Sequence, residues 1–128
     1  MESLIVDVNW VAVTVGTVLS FLLGWVWYSP KLFGTKWAND IGINISDKSG
    51  PAGLAMVAQL VGTFLLAWVI GITERTDDLF LAVLVACMVA SLIKANGLFA
   101  QKSKYVIMVE SGYILAMVVV MILVQAVL

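Results

Sequence analysis

An all-helical membrane protein with four spans is the fold class this sequence predicts, and three observations predict it. Four apolar stretches each reach the roughly 20 residues that a helix needs to cross a bilayer. Hydrophobic residues make up 62% of the chain and charged residues 12%, against roughly 45–50% and 25% in soluble domains. The stretches are continuous rather than alternating. Only helices or closed barrels satisfy their backbone groups in lipid, so helices follow. With 128 residues, one transmembrane domain over 1–128 is expected.

The first span covers about residues 8–28. It does not read as a cleaved signal peptide: its apolar run is too long, and Glu2 and Asp7 precede it where a basic segment should stand. Ala12, Gly16, Ser20 and Gly24 recur every four residues along it. Such a small-residue stripe lets a second helix approach closely, which matters in lipid because no hydrophobic effect drives helices together there.

The loop after this span is the one long connection. Ser29-Pro30 offers an N-cap followed by the residue favoured at the first helical position. Phe33, Trp37 and Ile41 then recur every four residues, with Lys36, Asn39 and Asp40 on other faces and Gly42 as a stop. The spacing predicts a short amphipathic helix over about 30–41, lying in the membrane interface. Trp25, Trp27, Tyr28, Phe33 and Trp37 would form an aromatic belt at headgroup depth, either as simple anchors or as part of a ligand site. Asn44-Ile45-Ser46 matches a glycosylation sequon, which would be inert on a cytoplasmic loop.

The second span covers about 52–72, with small pairs at Ala58 and Gly62 and at Ala67 and Gly71. A short turn follows, in which Asp77-Asp78 would cap the next helix. The third span covers about 79–99. Ala82, Ala86 and Ala90 form its stripe and lead to Lys94, which the spacing places on a protein-facing side. Cys87 lies mid-span and reads as a small apolar filler. After the break Gln101-Lys102-Ser103-Lys104, the fourth span covers about 105–128.

Orientation follows from the basic residues. Lys31, Lys36 and Lys48 lie in the first loop and Lys102 and Lys104 in the last turn, whereas the other side has only Arg75. Both basic loops are expected in the cytoplasm and both termini outside.

Two opposite charges stand inside the last two spans: Lys94 and Glu110, each about six residues, or roughly 9 Å, from the intervening turn. An ionisable group in a span costs roughly 2.5–3.5 kcal/mol on insertion scales and marks a place to look for function. At equal depth in a hairpin the two could pair and hold its register. Alternatively, with Ser91, Asn96 and Tyr113, they could form a polar patch for a small solute, ion or proton. Gln59 and Thr63 could extend that patch.

Other chemistries are excluded or unsupported. The formal net charge of −1 and the absence of a basic, aromatic-laced surface speak against nucleic acid. There is no His and one Cys, so no metal site of nitrogen and sulfur ligands is expected within the chain. No nucleophile–base constellation and no phosphate-cradling Gly-rich loop appears, so neither an enzyme nor a cofactor is expected.

Asn9-Trp10, Gly24, Trp27-Tyr28-Ser29-Pro30, Leu32-Phe33-Gly34 and Trp37, then Asn96, Leu98-Phe99, Gly112-Tyr113 and Met121, resemble the two blocks of the bacterial domain-of-unknown-function family 1761. The resemblance spans nearly the whole chain. It implies a small integral membrane protein with four helices and no particular activity; the bacterial inner membrane is the expected location. It also implies an amide before the Gly-Tyr pair, where this chain has Glu110. Two functions remain open: a structural or interaction subunit that self-associates or joins a larger membrane complex, and an oligomeric transporter or channel for a small solute or ion that uses the Lys94 and Glu110 patch.

Overall fold

The computed structural model describes residues 2–42 and 52–128; the sequon at Asn44 and the charge at Lys48 lie outside them. Five α-helices follow a single 3-10 turn at Glu2–Leu4: α1 (Trp10–Trp27), α2 (Gly34–Ile41), α3 (Ala52–Arg75), α4 (Leu79–Phe99) and α5 (Lys104–Val127). Four of them, α1, α3, α4 and α5, are long and apolar enough to cross a membrane.

Three of the five helices begin at a side-chain cap. Asn9, Asp78 and Ser103 are the N-caps of α1, α4 and α5, accepting hydrogen bonds from the amides of Ala12, Leu81 and Val106. The cap expected of the Asp77-Asp78 pair thus falls to Asp78. Both tight turns close alike. Asp77 and Gln101 adopt left-handed backbone, φ 54° and 58°. The next amides, of Asp78 and Lys102, then bond back to the carbonyls of Thr73 and Gly97. This satisfies C-terminal carbonyls that lipid cannot. Two buried hydroxyls within the spans are satisfied in the same spirit: Thr17 and Thr73 donate to the carbonyls of Val13 and Ile70 at 2.7 Å.

The short helix departs from expectation at its start. Ser29-Pro30 does not open it; residues 29–33 turn instead, and α2 begins at Gly34. The Ser29 hydroxyl is used elsewhere, donating to the Val26 carbonyl at the end of α1. The turn needs a glycine at position 34, because a Cβ there would lie 2.0 Å from the Tyr28 carbonyl oxygen. Gly42 stops the helix in left-handed backbone, as expected.

Helix α5 is the centre of the bundle. It packs against α1, α3, α4 and α2, and 44% of its span is buried against 17% for α4. Met117, Val118 and Met121 meet Val13, Ala67 and Ile70 in the core. The stripe on α1 serves this contact: Ala12, Gly16 and Ser20 are buried, and Gly16 faces Met121. On α3, Gly71 lies against Val13 and Val8, whereas a Cβ on Gly62 would meet nothing within 4 Å.

Helix α4 is held on one side only. Ala82, Ala86 and Gly97 are buried, and a Cβ on Gly97 would come within 2.6 Å of Ile107. Lys94 and Cys87 are exposed, contrary to the protein-facing and filler positions expected of them. The reason is geometric. A four-residue repeat overshoots the helical turn by about 40° each step, so Lys94 stands about 120° from Ala82. Gly97, by contrast, stands about 20° from Ala86. Phe80 and Phe99, 85% and 89% exposed, mark the two ends of α4. They are about 28 Å apart at the helical rise, close to a bilayer's hydrocarbon thickness.

At the end opposite α2, the N-terminal segment is strapped down. Arg75 donates to the carbonyls of Ser3 and Val6, and the Trp68 indole to that of Leu4 at 2.7 Å.

Gly34→Ala is expected to destabilise the protein by about 1–3 kcal/mol, the usual penalty for overpacking against fixed backbone. Within a single chain, Gly62→Ala should leave stability unchanged or raise it by roughly 0.5–1 kcal/mol through helix propensity. Thermal unfolding in detergent, with both variants against the parent, measures this difference.

Candidate functional site

At the α2 end of the bundle, Glu110 on α5 is met by side chains from α2 and from the α4–α5 turn. The Trp37 indole donates to Glu110 Oε2 at 3.1 Å, and Lys102 Nζ lies 3.1 Å from Glu110 Oε1. The expected partner, Lys94, is not among these groups. Glu110 and Lys94 share a depth, but they stand on different sides of the α4–α5 hairpin. Glu110, Tyr113 and Ile114 face one opening, whereas Lys104, Ile107, Met108 and Ser111 face another with Lys94. These two faces of α5 are separated by about 120° at 100° per residue. Equal sequence distance from a turn fixes depth and leaves direction open.

Lys102 reaches Glu110 because the left-handed Gln101 reverses the chain immediately before it. Its ammonium then reaches both carboxylate oxygens, at 3.1 and 3.3 Å. The ion pair is partly screened, with the two side chains 36% and 18% exposed.

The aromatic motif is built into the same site. Trp27 Nε1 donates to the Val109 carbonyl at 2.9 Å, and its ring lies 3.4 Å from where a Cβ on Gly112 would stand. Tyr28 and Trp37 meet edge-on with centroids 4.8 Å apart, and Tyr28 meets Tyr113 at 5.6 Å. Phe33 packs on Trp27 at 4.9 Å. Pro30 is exposed in the turn and takes no part. These rings carry intramolecular contacts beyond those of a simple belt, and Trp25 alone of the five expected aromatics is exposed. Buried indole N–H groups need acceptors, and that need is the signal in the sequence that would have linked Trp27 and Trp37 to α5.

Tyr113 is the deepest member. It is 4% exposed, and its hydroxyl donates to the Ser20 carbonyl at 2.7 Å. A Cβ on Gly24 would stand 2.6 Å from that hydroxyl oxygen, so the stripe on α1 also makes room for the tyrosine. Beyond it, the Gln59 amide donates to Thr63 Oγ at 3.2 Å, and Thr63 touches Met117 sulfur at 3.9 Å. The two α3 residues thus join the polar patch at its inner side.

An opening of about 260 Å³ lies among these groups, lined by Tyr28, Gln59, Asn96, Lys102, Glu110 and Tyr113. Of the residues predicted for the site, Asn96, Glu110 and Tyr113 come together here. Lys94 faces the other opening and Ser91 is exposed, lining neither. Lys102, Trp37 and Gln59 complete the cluster. Chemically it offers a carboxylate with a displaceable ammonium, two amides and phenol edges, a set suited to holding a polar solute.

Helix α2 is clamped to α5 by Asp40, whose carboxylate accepts from the Ser103 hydroxyl at 2.7 Å and pairs with Lys36 at 3.4 Å. The Ser103 hydrogen bond, followed by the Lys36 charge, holds the Asp40 carboxyl below its ordinary value. Lys36 also lies 5.0 Å over the Tyr105 ring.

Two measurements follow. In a double-mutant cycle on unfolding free energy, Lys102→Met and Glu110→Gln should couple by about 1 kcal/mol or less, as a partly exposed pair does. Lys94→Met and Glu110→Gln should not couple. Ser103→Ala should raise the Asp40 carboxyl towards its ordinary value, read from its ¹³C titration in micelles. Because the folded value is depressed, the α2–α5 clamp is at full strength at neutral pH and weakens as acid protonates Asp40 below the usual carboxylate range.

No curated protein and no solved structure matches the chain. The family described as "Protein of unknown function (DUF1761)" matches over residues 11–126, which takes in all but the outermost residues of the four spans and the whole Glu110 cluster. The chain is a small multi-pass membrane protein and belongs to that family, as its Trp-Tyr-Ser-Pro and Gly-Tyr blocks imply.

Proposed function

We propose that the protein is a non-catalytic structural subunit of the bacterial inner membrane that self-associates through α3, with both termini outside the cytoplasm. The observation that carries this reading is the unfilled stripe on α3. The stripe on α1 is packed against α5, and Gly71 is packed against α1. Ala58 and Gly62, at the four-residue spacing, instead open into a groove of about 350 Å³ walled by Leu65, Val85 and Met88. Two copies related by a two-fold axis could cross at this pair, each backbone filling the other's gap. A larger membrane complex as partner is the competing occupant.

A second reading rests on the Glu110 cluster. Its polar groups continue inward from Lys102 and Glu110 through Asn96, Tyr113 and Gln59 to Thr63, which supports binding or passage of a small solute or ion. An oligomer would then surround the pathway that four helices barely enclose.

Gly62→Cys should give a disulfide-linked dimer in oxidised membranes, while Val18→Cys on the outer face of α1 should not. Gly62→Leu should shift the detergent particle from dimer to monomer. A monomeric parent particle, or one held in a stoichiometric complex with another membrane protein, would remove the self-association reading. For the second reading, flux in liposomes that is absent, or equal for the parent and Glu110→Gln, would remove transport.

A further inference from the structure

The charge that failed to find Glu110 has a different setting. Lys94 and Lys104 line one opening on the outer side of the α4–α5 hairpin, together with Leu98, Ile107, Met108 and Ser111. The opening has a volume of about 410 Å³. Among the described residues neither lysine takes part in an ion pair, because the acids at this end are engaged elsewhere: Asp40 with Lys36 and Ser103, and Glu110 with Lys102 and Trp37. One ammonium is rooted about two turns inside the span and the other at its edge. The wall between them is apolar and open to lipid, with Leu98 59% and Met108 65% exposed. Ser111 adds a hydroxyl that donates to the Ile107 carbonyl and keeps its lone pairs free to accept.

Two cations at headgroup depth beside an apolar wall match one ligand chemistry, a phosphate that carries acyl chains. We propose that this opening binds the headgroup phosphate of an anionic phospholipid, with Lys94 and Lys104 on the phosphate oxygens and an acyl chain along Leu98, Ile107 and Met108. The lysine stems can lie on the wall while their ammonium groups meet at the phosphate plane. In the orientation proposed above, which this step takes over, this end of the bundle lies at the cytoplasmic leaflet, where anionic lipids attract juxtamembrane lysines. A free phosphate would satisfy the ammonium groups but leave the wall without a partner. The site stands apart from the α3 groove and from the Glu110 cluster, so neither functional reading is needed for it.

The test is lipid retention, measured by native mass spectrometry of the protein released from nanodiscs of equal parts phosphatidylglycerol and phosphatidylcholine. The parent should retain phosphatidylglycerol over phosphatidylcholine. Lys94→Gln and Lys104→Gln should each reduce that preference about fivefold, the effect expected of one lysine near an anionic surface. Lys94→Arg should keep it, and Lys31→Gln, which removes a loop lysine outside the opening, should leave it unchanged. Thermal protection in detergent separates the two sources of phosphate: phosphatidylglycerol should protect the parent and inorganic phosphate should not. Equal preference in the parent and in both glutamine variants would overturn the site. An equal loss in Lys31→Gln would reduce it to general surface charge, and equal protection by inorganic phosphate would overturn the lipid assignment. Should Lys94→Gln fail to fold, the exposed Lys104→Gln alone decides.

Discussion

Close approach of α5 to α1 is the constraint on which the rest of the bundle depends. In lipid the helices gain little from hiding apolar surface, so backbones must come near enough for dispersion and hydrogen bonds to act. Small residues on α1 allow this along its length, and the contact ends in a hydrogen bond from Tyr113 to the Ser20 carbonyl. Gly24 is the position that admits the tyrosine. Because α5 also carries Glu110 and Gly112, its seating on α1 sets where the carboxylate stands and where the Trp27 ring can lie. The polar cluster is therefore a consequence of backbone packing several turns away.

The aromatic motif turns that packing into a covered end. Trp27, Tyr28, Phe33 and Trp37 bring α2 back over the start of α5, and each indole finds an oxygen there. Asp40 and Ser103 fasten the other side of α2. Helix α2 is thus fixed to α5 at two edges, one aromatic and one ionic. Its two fastenings respond to different variables: the ionic edge to acid and salt, the aromatic edge to the apolar environment.

Much of this is legible in the order of residues. The four spans follow from apolar length, and the caps at Asp78 and Ser103 and the stop at Gly42 are local chemistry that the sequence states outright. Directions across helices are not legible in the same way. The series Ala82, Ala86, Ala90, Lys94 looks like one stripe, yet four is not 3.6, and the drift takes Lys94 off the packed face while Gly97 stays on it. The symmetric placing of Lys94 and Glu110 about the turn invites a pairing that the rotation of α5 forbids. Lys102 is hidden because its reach depends on one left-handed residue, Gln101, a conformation that glutamine rarely signals. Ser29-Pro30 carries a helix-start signal, but the close pass of Gly34 under the Tyr28 carbonyl moves the start to position 34. Capping by the serine loses there to the tight turn that follows it.

The aromatic markers at the two ends of α4 have a mechanical consequence. They define a hydrophobic length for that helix of about 28 Å. The apolar part of α3, about 52–72, rises about 30 Å before Thr73, Glu74 and Arg75 end the helix. A membrane of about that thickness suits both helices, so α3 and α4 set one common depth for the bundle.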